Sequence, residues 1–214
     1  TDGVTKQYAD VIVTSVAGQA SAAASSAASA AVSASNAAIS AATIGVAARI
    51  VTSVAGLRAL PKTGTPQAQV TGYYVQGDGG GGAYWFDSTD TSSTDNGGTI
   101  IVAADGGRWK LASQKSVSVK QFGAKGDGTT DDTTAIQSAI IACAGRNLSF
   151  PSGTYIVSSL TGVSNIILEG EGRDLTVLKR KAGGAGNAAL LEFSSKTKFT
   201  VRGLTLDGNK SSQT

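Results

Sequence analysis

The sequence predicts a mixed fold in three consecutive parts. Residues 1–48 read as an Ala/Ser-rich, coiled-coil-like helix, 49–112 as a small β-domain, and 113–214 as a short helix followed by the first coils of a parallel β-solenoid. Three observations carry this. An uncharged tract runs from Asp10 to Arg49 with 14 Ala and 7 Ser among residues 17–42. Twelve glycines punctuate short aromatic and β-branched runs over 49–112. A helical stripe then precedes strand-length runs that recur at about 20 residues.

In the first part Ala is the best helix former, and Gly18 is the sole glycine in the core of the tract, residues 17–42. Val4, Val11, Gly18, Ser25, Val32, Ile39 and Val46 are seven apart. Such spacing puts Val32, Ile39 and Val46 on one seam that packs on copies of the same helix. A membrane span is excluded because Ala and Ser supply too little transfer energy. Small side chains bury little area, at roughly 0.8 kcal/mol per CH₂, so such a bundle needs tethering at both ends. A solvated helical or disordered spacer is the competing reading.

Over 49–112 the runs Arg49-Ile50-Val51, Tyr73-Tyr74-Val75, Ala83-Tyr84-Trp85-Phe86-Asp87, Thr99-Ile100-Ile101-Val102 and Arg108-Trp109-Lys110-Leu111 predict an antiparallel sheet. Gly77-Asp78-Gly79-Gly80-Gly81-Gly82 has the spacing of a dinucleotide loop, but an aromatic strand follows where the phosphate-binding helix must begin. Asp87, Asp90 and Asp95 lack the alternation of a calcium loop. Tyr84, Trp85 and Trp109 are candidates for stacking on sugar rings, against the alternative that they form the core of a small domain.

In the third part Gly126-Asp127-Gly128 is turn chemistry, with Thr130 or Asp131 as helix N-cap and Asp132 in the first turn. Ile136, Ala139, Ile140 and Cys143 then form one apolar stripe, and Gly145 ends a helix over 131–144. So short a helix must cover something, and the strands Leu148–Phe150, Tyr155–Val157, Asn165–Leu168, Leu175–Leu178, Leu190–Phe193 and Phe199–Leu206 follow it. Phe150 to Leu168 and Val157 to Leu178 give the repeat. An antiparallel sandwich would space its strands similarly; the amphipathic helix favours a solenoid starting near Leu148, with Ile136, Ile140 and Cys143 as its cap.

Histidine is absent and the one cysteine sits on the helix stripe, which removes histidine-based catalysis and an intrachain disulfide. The net charge of +3 gives no case for nucleic acid. Lys179, Arg180, Lys181, Lys196, Lys198 and Arg202 are candidate contacts to an acidic polysaccharide, with solvated faces the preferred reading. Acid–base glycoside chemistry needs two carboxyls about 5 to 9 Å apart. Glu169, Glu171, Asp174, Glu192 and Asp207 all read as turn or surface residues. No catalytic, cofactor or metal residue is assigned.

The run from Phe122 through Asp127-Gly128-Thr129-Thr130-Asp131-Asp132 to Ile140, with Phe150-Pro151-Ser152-Gly153-Thr154-Tyr155, resembles the opening of the pectate-lyase-like right-handed β-helix in bacteriophage tailspikes. The Ala/Ser tract and the Gly-rich aromatic module resemble the virion-proximal parts of those proteins. The resemblance implies a homotrimer in the virion tail, docked through its N-terminal region on a tail or baseplate adaptor protein. It further implies a downstream β-helix that binds and cleaves capsule or O-antigen at the host surface, with no cofactor, nucleic acid or membrane insertion. The absence of a terminal cap after Asp207-Gly208-Asn209 leads us to expect a longer parent chain. The alternative function is a secreted pectate-lyase-like polysaccharidase with an N-terminal binding module.

Overall fold

The computed structural model describes residues 2–44, 49–61, 63–64, 66–184 and 189–213, without the side chains of residues 9, 12, 13 and 35–44. The chain divides into two units, 1–47 and 48–214.

The first unit is one helix, α1 (Asp2–Ile44), 43 residues long and so about 65 Å at 1.5 Å per residue. Its alanines favour the helix intrinsically. Some of its hydroxyls fold back onto the preceding turn: Thr14 Oγ1 donates to the Asp10 carbonyl at 2.8 Å and Ser29 Oγ to that of Ser25 at 3.0 Å. Val4, Tyr8, Val11, Val16 and Val32 are all exposed. No described helix is long and apolar enough to cross a membrane.

The second unit begins with β1 (Arg49–Val51), α2 (Val54–Ala59), β2 (Gln67–Val70), β3 (Gly82–Asp87), β4 (Ile100–Val102) and β5 (Arg108–Leu111). The sheet order is β1-β2-β3-β5-β4, with β1 parallel to β2 and the other pairs antiparallel. Alternation sends Ala68, Val70, Tyr84, Ile101, Trp109 and Leu111 inward, where Val54 and Leu57 of α2 join them. Ser53 caps α2 by accepting from the Gly56 N–H at 3.2 Å. The expected strand at Tyr73-Tyr74-Val75 does not form. The Asp78 carboxylate takes the N–H groups of Tyr73, Tyr74 and Val75 at 2.7 to 3.1 Å, removing the donors a ladder would need.

The coils start earlier than the sequence suggested. β6 (Ser116–Ser118), a 3₁₀ turn (Val119–Phe122) and β7 (Asp127–Asp131) precede α3 (Thr133–Ala142). β8 (Asn147–Phe150), β9 (Gly153–Val157), β10 (Leu160–Thr161), β11 (Ile166–Gly170), β12 (Thr176–Arg180), β13 (Leu191–Glu192), β14 (Phe199–Arg202) and β15 (Thr205–Asp207) follow. They stack in three parallel sheets, β6-β8-β11-β14, β7-β9-β12-β15 and β10-β13. Val117, Leu148, Leu168 and Val201 form one ladder through the coils. Phe150 pairs with Gly170 rather than opposite Leu168, and Val157 with Arg180 rather than Leu178.

The N-cap position of α3 is Asp132, whose carboxylate makes no cap bond, while Asp131, one of the two expected caps, accepts from the N–H of the first helical residue, Thr133, at 3.0 Å. Ile136, Ala139, Ile140 and Cys143 are fully buried. Gln137 ties the helix to β10 through a reciprocal pair, donating to the Thr161 carbonyl at 3.0 Å and accepting from its N–H at 2.8 Å. The amide thus substitutes for a neighbouring strand.

Candidate functional site

The surface with most converging chemistry lies where the small sheet meets the first coil. A cavity of about 400 Å³ is lined by Tyr73, Tyr74, Val75, Asp78, Lys120, Ala124, Lys125 and Asp127. Its walls are held by close backbone approach. A Cβ at Gly80 would stand 2.4 Å from the Lys120 carbonyl oxygen, and one at Gly123, where φ is +91°, 2.6 Å from the Tyr73 ring. Gln121 Nε2 donates to the Gly81 carbonyl at 2.9 Å, and Tyr74 OH to that of Gly123 at 2.9 Å. The glycine run with the spacing of a phosphate loop therefore accommodates the first coil.

Two carboxylates organise the backbone on the two sides of this junction; Asp78 is not recognised from sequence, and Asp132 reads there only as a first-turn helix residue. Burial pulls Asp78 upward, but four backbone N–H donors, including Gly80, prevail and hold it below the usual carboxylate range. Asp132 accepts from the N–H groups of Lys125 at 2.8 Å and Gly126 at 2.9 Å, yet burial dominates and raises its pKa. The Lys125 ammonium lies 5.3 Å from the centre of the Tyr74 ring.

Most of the remaining acids are engaged by neighbouring groups. Asp127 accepts from the backbones of Thr130 and Thr129, which lower its pKa. Asp131 is held down at about 2 by the Thr133 hydroxyl and by Lys181. Asp95 is pulled up by burial, but the Arg58 fork and the N–H groups of Val102 and Gly97 hold it low. Glu169 lies in strand β11 rather than a turn, bonded to Asn147 and paired with Arg202 at 2.8 Å, and its pKa is lowered. Glu171 accepts from the Ser152 N–H, Glu192 from the Ser194 hydroxyl and Asp207 from the Asn209 N–H. Asp174 stands in a turn at φ +70°. A general acid for glycoside cleavage needs a raised pKa and an open groove; Asp132, the carboxyl with the raised value, is buried against two backbone donors.

The three sugar-stacking candidates separate. Tyr84 and Trp109 are each 1% exposed, and Tyr84 OH donates to the Gly98 carbonyl at 2.8 Å. Neither presents a free face, because both fill the core of a domain with few other large side chains. Trp85, on the opposite face of β3, is 43% exposed. Among the basic candidates, Lys181 bonds Asp131 at 2.9 Å, Lys179 faces Asp207 at 3.9 Å and Arg180 is buried. Burial pushes the Cys143 thiol up to about 11. Of the seam residues, Val32 is 59% exposed, the Ile39 side chain lies outside the described residues, and so does Val46.

Residues 50–114 match the family model of the phage tail protein small four-stranded beta-sheet domain. The matched range spans the five-stranded sheet, of which β2, β3, β5 and β4 are the antiparallel strands. Residues 116–209 match that of rhamnogalacturonase A/epimerase, pectate lyase-like. The chain is a phage tail protein with a β-helix start. The tail protein is 39% identical to mannuronan C5-epimerase AlgE3 of Azotobacter vinelandii over 44% of its own length and 6% of that protein. It is 38% identical to the preneck appendage protein of Bacillus phage PZA over 45% of its length and 12% of that protein. It therefore spans only a small part of these relatives. Its fold resembles that of tailspike protein gp49 from Acinetobacter baumannii bacteriophage Fri1, a capsular polysaccharide depolymerase. The TM-score is 0.53 at 19% identity, covering 75% of this chain and 37% of that one.

Proposed function

We propose that the tail protein is the N-terminal attachment part of a homotrimeric tailspike, whose β-helix beyond the described coils binds and depolymerises a capsule or O-antigen at the host surface. The observation that carries this is module order: a phage-tail sheet at 50–114 leads directly into a pectate-lyase-like coil at 116–209. The capsular polysaccharide depolymerase of phage Fri1, with its similar fold, supports polysaccharide as the substrate class. α1 supplies the threefold bundle through the seam containing Val32, Ile39 and Val46. Residues 1–112 dock on the tail or baseplate adaptor, and α3 closes the first coil through Ile136, Ile140 and Cys143.

Catalysis is assigned beyond these coils because most of their acids are engaged. Glu169 serves Asn147 and Arg202, Asp131 serves Thr133 and Lys181, and both are held in the ionised form. The expected result is that purified 1–214 releases no reducing ends and no unsaturated sugar from host capsule, while the full-length parent does. Release by the segment would overturn this placement.

A further inference from the structure

We propose that the outer face of the small sheet is a saccharide groove, with the Trp85 indole as platform for a pyranose ring and Arg146 as partner for a carboxylate on that ring. The inference deepens the polysaccharide reading and rests on it for the substrate class. Cross-strand register sets Gln67, Trp85, Lys110 and Ile100 in one row, and their burial pattern turns that row away from the core. A groove of about 360 Å³ opens there, lined among others by Trp85, Asp87, Thr99, Ile100, Lys110 and Arg146.

Each side chain has a distinct capacity left over. The apolar C–H face of a pyranose matches a flat indole, and the hydroxyls around the ring edge require fixed donors and acceptors. The Thr89 hydroxyl, followed by the Thr89 and Asp90 N–H groups, holds Asp87 ionised; these bonds all go to its Oδ1. Its Oδ2 has no partner among the described residues and can accept a sugar hydroxyl. Thr99 accepts from Asn96 Nδ2 at 2.8 Å and keeps its own proton to donate. The Lys110 ammonium is fastened to Asp90 and Ser93, so Lys110 contributes mainly its aliphatic stem. Arg146, exposed between α3 and β8, makes no side-chain hydrogen bond or ion pair among the described residues. Its planar fork is available for a carboxylate.

The test uses the 214-residue chain, a galacturonate hexamer and a glucose hexamer as probes, with binding followed by indole fluorescence and calorimetry. Galacturonate should change the emission. Trp85→Ala should abolish binding while the chain still melts cooperatively, because Trp85 is 43% exposed and points away from the core. Arg146→Gln should weaken galacturonate binding by about tenfold or more, while the glucose hexamer binds more weakly and ignores that substitution. The proposal is overturned if neither hexamer binds, if Trp85→Ala binds like the native chain, if both hexamers bind equally, or if Trp85→Ala changes the sedimentation of the free protein, which would make the face a contact between copies. Depolymerisation by the full-length protein without hexamer binding here overturns this inference alone. Trp85-dependent binding without depolymerisation overturns only the earlier reading.

Discussion

α1 and the stacked coils hold their conformations by opposite means, and the contrast shows which parts can stand without a partner. α1 is set by intrinsic Ala propensity and leaves Val4, Tyr8, Val11, Val16 and Val32 in water. In the coils, local preference is weak and pairing decides: Asp127–Asp131, where one Gly and two Asp disfavour a strand against two Thr that favour it, becomes β7 with β9 beside it. A helix set by intrinsic propensity tolerates surface changes cheaply, whereas a coil is coupled to the layers with which it pairs.

The largest effect should come from Ile140→Asp in α3. Placing an unpaired carboxylate at a fully buried position costs several kcal/mol, so the melting temperature of the second unit should fall by more than 10 °C or the chain should fail to fold. An unchanged melting temperature would mean that α3 covers nothing.

Acid should have an intermediate effect, and its sign follows from the lowered carboxylates. Asp78, Asp87, Asp90, Asp95, Asp127, Asp131 and Glu169 have folded pKa values below their unfolded ones. Their contribution is therefore present above about pH 4 and is lost as pH falls through the folded values, near 2 for Asp131. Asp132, with its raised pKa, works in the opposite direction. Seven groups against one predict a lower melting temperature at pH 2.5 than at pH 5, and Asp131→Asn should flatten that dependence.

The smallest effect on the second unit should come from Val32→Asp, because Val32 is 59% exposed. The melting of the coils should not change, but if α1 forms the proposed threefold seam, the charge placed in it should shift sedimentation of the intact protein towards monomer. A trimer that ignores Val32→Asp would remove the seam from the assembly.

Legibility in the sequence followed the same division. Long periodic signals were readable: the Ala tract gave α1, and the stripe Ile136, Ala139, Ile140 and Cys143 gave α3. Short elements set by distant partners were not. β6 is three residues with one apolar side chain, and Tyr73-Tyr74-Val75 lost its strand to the Asp78 carboxylate five residues on. The register slipped because Phe150 looked equivalent to Leu168, whereas pairing places it beside Gly170. Among Tyr84, Trp85 and Trp109 composition could not choose; strand alternation buries the first and exposes the second, and the inward side of β5 buries the third. Arg146 carried no sequence signal, since its place beside Trp85 arises only when α3 ends near the sheet.

The attachment role of the N-terminal part is tested most directly by virion assembly with a full-length spike lacking residues 1–112. The account predicts virions without spikes, while the free truncated protein still depolymerises capsule. Virions that incorporate the truncated spike at the normal level would contradict it.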